Sequence, residues 1–220
     1  MYNYKLSNNH YVVDIDGEKY LIDTGSPISF WVSRPITSVK IDGNTFFLQG
    51  RPSNFDVKAT NSLVGVPVDG FIGMDIISKT GLTIHKNGTI EFVAREIDGI
   101  EIPMTKRFPL VIDIECNSLT GKFIVDTGAK YGYGVGGLFK GQVSFNRVQD
   151  YNPSLGILNS EIYHLDIALG GEKKSIDVCD NGIVASSHLV MLSAIMIGNV
   201  SSLFEETCVL DTIKGKIVLK

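Results

Sequence analysis

The chain has 220 residues, a formal net charge of −4, 44% apolar and 20% charged residues. That balance belongs to a globular chain of one or two domains and excludes disorder. The basic clusters at Met104–Phe108 and Gly171–Ser175 are short and read as solvated turns, so no nucleic-acid footprint is expected.

Taken in chain order, short apolar runs alternate with turn signals. "HYVVDIDGEKYLID" predicts two strands joined at Asp16-Gly17, and "SVKIDGNTFFLQ" predicts two more joined at Asp42-Gly43. "MDIISK", from Met74, predicts a short helix. "LTIHKNGTIEFV" predicts a hairpin about Asn87-Gly88. The charged segment Ala94–Arg107 separates two halves, so the expected lobes are residues 1–95 and 96–220. "FPLVIDIECNSLTGKFIVD" opens the second half with another hairpin. "GYGVGG", Gly132–Gly137, matches a dinucleotide fingerprint, but no helix pattern follows, and it reads as a mobile loop. "SEIYHLDIALGGEKKSIDV" and "ETCVLDTIKGKIVLK" predict hairpins, with helical candidates in "SSHLVML" and "NVSSLFEE" between them. The whole reads as all-β.

Other classes lose ground on composition. The three cysteines, Cys116, Cys179 and Cys208, are odd in number and lack a CxxC, against a disulfide framework or a structural zinc site. His10, His85, His164 and His188 show no ligand spacing, so neither metal nor cofactor is expected. No apolar run reaches membrane-spanning length, and the first residues lack a basic-flanked apolar core. The expectation is a cytoplasmic product with no membrane partner; a trimmed secreted form is the alternative.

Four features recur in the same order: a hairpin, Asp-Thr-Gly, apolar-apolar-Gly, and a closing hairpin. "YLIDTGS" carries Asp23 and is followed by "GFIGMDII"; "KFIVDTGA" carries Asp126 and is followed by "AIMIGNVSSLF". A lone Asp-Thr-Gly is ordinary turn chemistry, since Asp accepts local N–H bonds and Gly takes positive φ. Two copies in matching context point instead to paired carboxylates. Two carboxyls in contact cannot both ionise cheaply, so such a pair holds one proton over a broad pH range.

These motifs resemble those of the aspartic proteases, both the two-lobed pepsin-like enzymes and the dimeric retropepsins. The resemblance rests on "LIDTGS", "IVDTGA", "GFIGMD", "SFWV" and the C-terminal "IMIGNVSSLFEETCVLDTIKGKIVL", and so spans most of the chain. It implies a two-lobed, pseudo-two-fold acid-protease fold with a few short helices. It implies an endopeptidase using Asp23 and Asp126 on an extended peptide; the small size and the lack of a secretion signal point to a restricted or regulatory one, and two aspartates in one chain point to a monomer. Thr24 and Thr127 would lock the pair, Gly25 and Gly128 would let substrate approach, and Ser26 would bond Asp23 where Ala129 leaves Asp126 without that donor. That mismatch predicts a weakly acidic optimum. Expected cleft residues are Ile28, Phe30, Trp31, Phe46, Tyr131, Tyr151, Leu155 and Ile197. The tyrosine-bearing flap of the pepsin-like first lobe is missing. Either "KIDGNTFFLQGRPSNF", with Phe46 or Phe47, or the longer second-half segment, with Tyr151 or Leu155 near its tip, would replace it. The alternative function is a catalytically silent peptide-binding or inhibitor protein of the same fold.

Overall fold

Positive-φ turns set the strand pattern. In the first half, β1 (Tyr2–Ser7) turns at Asn8-Asn9 into β2 (His10–Ile15), which turns at Asp16-Gly17 into β3 (Glu18–Ile22). Residues that accept positive φ at both turn positions match the twist of two-residue hairpins. β4 (Phe30–Trp31), β5 (Thr37–Ile41) and β6 (Asn44–Gly50) follow, then helix α1 (Val57–Val64), β7 (Gly70–Ile72), helix α2 (Met74–Thr80), β8 (Leu82–His85) and β9 (Thr89–Glu91). The second half runs β10 (Ile100–Arg107), β11 (Leu110–Cys116), β12 (Leu119–Val125), β13 (Gly132–Gly134), a 3-10 turn (Gly136–Phe139), β14 (Asn146–Asn152), β15 (Gly156–Leu169), β16 (Glu172–Asp180), β17 (Met196–Gly198), β18 (Thr207–Asp211) and β19 (Lys216–Leu219). These come from a computed structural model that describes residues 1–53, 55–152, 156–180 and 193–220.

The pairings have an approximate two-fold order. One antiparallel sheet runs β1–β9–β8–β18–β19–β10, three strands from each half, joined at its centre by β8 and β18. Within the first half the ladder continues β2–β3–β7–β4–β6–β5, with β3/β7 and β4/β6 parallel. The second half repeats it as β11–β12–β17–β13–β16–β15, with β12/β17 and β13/β16 parallel. The fold is therefore all-β with two short α-helices among the described residues. The extra length of the second half is β14, an added strand paired with the 14-residue β15.

One buried cluster runs through both halves and includes Tyr11, Trp31, Ile72, Phe123 and Leu210. A smaller one, with Phe30, Val64 and Phe71, lies beside the first motif. All three cysteines are buried, unpaired thiols. Among the described residues no helix is long and apolar enough to cross a membrane.

Several local expectations change. "GYGVGG" is not a mobile loop: β13 is held between β16 and β17, and the 3-10 turn buries Leu138 and Phe139. Asn199–Glu206 forms turns rather than a helix, with Val200, Leu203 and Phe204 buried in the main core. Met104–Arg107 belongs to β10 and not to a turn. "SSHLVML" lies outside the described residues. Helix α1 has no apolar stripe to announce it. Only Thr60 and Val64 are buried in it, and its start is fixed by Asp56, which accepts from the N–H groups of Lys58 and Ala59.

Candidate active site

Each Asp-Thr-Gly begins where a strand ends beside a parallel neighbour. β3 stops at Ile22 and the Asp23 N–H continues the ladder to the Ile72 carbonyl at 3.0 Å. β12 stops at Val125 and the Asp126 N–H donates to the Gly198 carbonyl at 2.8 Å. The apolar pairs before the aspartates are thus buried ladder residues that anchor the loops. The two apolar-apolar-Gly elements do not superpose glycine on glycine. Ile22 pairs with Ile72, whereas Val125 pairs with Gly198, so Asn199 takes the place of Gly73. At Gly73 the backbone is crowded, because a Cβ would lie 2.6 Å from the Ile28 carbonyl oxygen. At Asn199 a carboxamide occupies the corresponding place and donates to Ala129 O at 3.1 Å.

The two loops meet head to head. Thr24 Oγ1 donates to the Val125 carbonyl at 2.9 Å and accepts from the Thr127 N–H at 3.0 Å. Thr127 Oγ1 reciprocates, donating to the Ile22 carbonyl at 2.8 Å and accepting from the Thr24 N–H at 3.0 Å. Both threonines are fully buried. The glycines let the loops close crosswise: a Cβ on Gly25 would lie 2.6 Å from the Asp126 carboxyl, and one on Gly128 2.5 Å from Asp23 Oδ1.

That closure places the two half-buried carboxyls in hydrogen-bonding contact with each other. Burial first, and then the Asp126 charge, push Asp23 well above the usual carboxylate range. The N–H groups of Gly25 and Ser26 pull in the other direction, bonding Asp23 Oδ1 at 2.9 and 3.0 Å. Burial also raises Asp126, against the Gly128 N–H at 2.9 Å from its Oδ1 and the hydrogen bond with Asp23. The pair titrates as a unit, and the contact is stable when it holds one proton. Ser26 supports Asp23 through its backbone and not its hydroxyl, which donates to the Ile28 carbonyl at 2.8 Å. The expected Ser26/Ala129 difference in side-chain donors is therefore absent at the carboxyls.

A cavity of about 420 Å³ opens on the pair. Its first-half wall is aromatic: Phe30 stacks on Phe71 with centroids 4.4 Å apart, and Phe55 meets both edge-on. Leu63 and Val64 of α1 complete that wall. The second-half wall carries Lys130, Tyr133, Asp150 and Ile197. Tyr133 donates to the buried Asp150 of β14, and β14 packs against α1, so the β14–β15 hairpin reaches across the cavity. No group of three His, Cys, Asp or Glu side chains among the described residues is placed to hold a metal ion.

Of the expected cleft residues, Phe30 and Ile197 line this cavity. Trp31 does not: it is core, edge-on to Tyr20, with Arg34 over its ring. Phe46 packs on the core too, because β5–β6 folds down with Ile41 and Leu48 buried and its tip fixed by Tyr2 Oη accepting from the Asp42 N–H. Ile28 packs beside Phe30 and Phe71 without facing the cavity, and Tyr131 lines a separate pocket behind the second loop. Leu155 and the Tyr151 side chain lie outside the described residues. Sequence reasoning missed Tyr133, although it stands at the same distance from Asp126 as Phe30 from Asp23. It also missed Asp150, Phe55 and α1, which only the packing of distant segments brings to the site.

No protein-family model and no curated protein matches the sequence. Among solved structures, the chain is similar to the aspartic proteinase from Irpex lacteus, with 15% identity and a TM-score of 0.53 over 98% of this chain and 95% of that one. It is also matched to the protease of simian foamy virus (mac), with 14% identity and a TM-score of 0.32 over 42% of this chain and 90% of that one. The fold is that of the pepsin-like aspartic proteinases.

Proposed function

We propose that the protein is a bilobal, monomeric aspartic endopeptidase whose dyad is Asp23 and Asp126. The observation that carries this reading is the contact of two half-buried carboxyls at the floor of an open cavity, locked by reciprocal threonine bonds. The ionised member takes a proton from a water held between the carboxyls, and that water attacks the peptide carbonyl carbon. The protonated member gives its proton to the carbonyl oxygen. Breakdown of the tetrahedral species returns a proton to the leaving nitrogen, and the C–N bond breaks. Thr24, Thr127, Gly25 and Gly128 keep the carboxyls in register for this exchange.

Substrate lies extended in the cavity. β14 pairs only with β15 among the described residues, so its outer edge can accept the peptide as an added strand. We assign the flap role to this second-half hairpin, since β5–β6 is packed on the core. The aromatic first-half wall favours an apolar side chain beside the cut. Because both carboxyls are raised, activity peaks at weakly acidic pH; a maximum below about pH 3 contradicts the dyad as described.

Digestion of a diverse peptide library, read by mass spectrometry, tests the reading. Internal cleavage next to apolar residues is the expected result. Peptides retained intact by the protein, with no fragments, would replace the peptidase by a silent peptide binder.

A further inference from the structure

The turn between β1 and β2 holds Asn8 and Asn9 at φ 45° and 69°. The second position of such a turn favours glycine, which stands at the equivalent points Gly17, Gly43 and Gly171. Asn9 keeps a side chain there, and its carboxamide and main-chain carbonyl reach the second half of the chain. Its Nδ2 donates to the Lys130 carbonyl at 2.8 Å, its Oδ1 accepts from Ser201 Oγ, and its main-chain carbonyl accepts from Asn199 Nδ2 at 2.8 Å.

Asn199 extends the tie. The same Nδ2 also lies 3.1 Å from the carbonyls of both Thr127 and Ala129, so its two hydrogens are shared among three acceptors, and the Asn199 Oδ1 accepts from the Ser201 N–H at 2.9 Å. The carbonyls of Thr127, Ala129 and Lys130 are thereby fixed from behind the second motif. A peptide unit is planar, so fixing its carbonyl also aims the N–H at its other end. The unit joining Thr127 to Gly128 ends in the N–H that donates to Asp126 Oδ1 at 2.9 Å. The first motif lacks this arrangement: among the described residues no side chain donates to the Thr24 carbonyl. Its loop is held by the Met74 N–H on Ser26 O at 2.9 Å and by the Ser26 hydroxyl on Ile28 O at 2.8 Å.

We propose that Asn9 is a positioning residue for Asp126: a turn of the first half, acting through Asn199 and the 127–130 backbone, sets the aim of the Gly128 N–H on that carboxyl. The proposal rests on the peptidase reading for its effect on rate, but not for its effect on the carboxyl.

Asn9→Gly is the test. Glycine accepts the positive φ and keeps the main-chain carbonyl for Asn199, while the bonds to Lys130 and Ser201 are lost. With a cleaved peptide, kcat falls about tenfold and KM is unchanged, as expected when geometry remote from the chemistry slips. The acid limb of the rate profile and the lower step of the pair's titration, followed by carbon NMR at the Asp126 carboxyl, both move to higher pH, because the charged form loses part of its N–H donation. Ser201→Ala removes one tie only and moves both readouts less, in the same direction; it carries the test if the glycine variant fails to fold. A lower thermal midpoint with kcat and the Asp126 titration unchanged overturns the proposal and leaves Asn9 a purely structural residue. If the parent cuts no peptide, the peptidase reading fails. The titration then decides alone: a shift upholds the brace, and an unmoved Asp126 overturns it.

Discussion

At the residue scale, the buried threonines and the carboxyl pair make opposite demands. Thr24→Val leaves the Val125 carbonyl and the Thr127 N–H buried without their partners. The loss is roughly 3 kcal/mol, from two orphaned backbone groups. It reads as a lower urea midpoint, which Thr24→Ser largely restores; an unchanged midpoint in the valine variant contradicts the reciprocal lock. The carboxyls instead cost stability at neutral pH. Their native pKa values are raised, so between the ordinary carboxylate range and the raised values the native state binds more protons than the unfolded one. Stability therefore falls as pH rises through that window. Asp23→Asn removes the carboxyl that must take up a proton on folding, and so raises the thermal midpoint at neutral pH above that of the parent. The difference closes below about pH 4, where the Asp23 carboxyl is protonated in the unfolded chain as well. A gap that widens on acidification contradicts the assignment.

At the element scale, legibility follows from how local the cause is. The hairpins at Asp16-Gly17, Asp42-Gly43 and Gly170-Gly171 were readable because turn residues and apolar alternation lie within a few positions of each other. The two Asp-Thr-Gly loops were readable because each motif and its anchoring strand are contiguous. Helix α1 was not, since its sequence "VKATNSLV" has too few buried positions to show a helical period. Trp31 and Phe46 were misplaced because alternation gives which face of a strand is apolar, not whether that face meets the core or the cavity. The one-residue shift between Gly73 and Gly198 was invisible for a related reason: matching letters do not reveal ladder register. Helix α1 also makes a prediction. Asp56→Ala removes its N-cap at a cost of about 1 kcal/mol. Because α1 supplies Leu63 and Val64 to the cavity, KM for an apolar peptide rises while kcat is retained. A fall in kcat with KM unchanged contradicts its place as a wall of the binding cavity.

For the whole molecule, the six-stranded sheet matters most. Its central pairing, β8 with β18, ties residues over a hundred positions apart, and the main core crosses from one half to the other. The halves therefore unfold together, in one calorimetric transition whose enthalpy equals the van't Hoff value. Two separated transitions contradict this coupling. The same sheet brings the two motif loops face to face within a single chain, so that no second copy is needed to complete the pair. The most direct test of that claim is peptide cleavage by the parent, Asp23→Asn and Asp126→Asn, each variant with its thermal midpoint measured alongside. The expected result is that the parent cuts and that each folded variant has lost cutting. Retention of full activity by both single variants would contradict it.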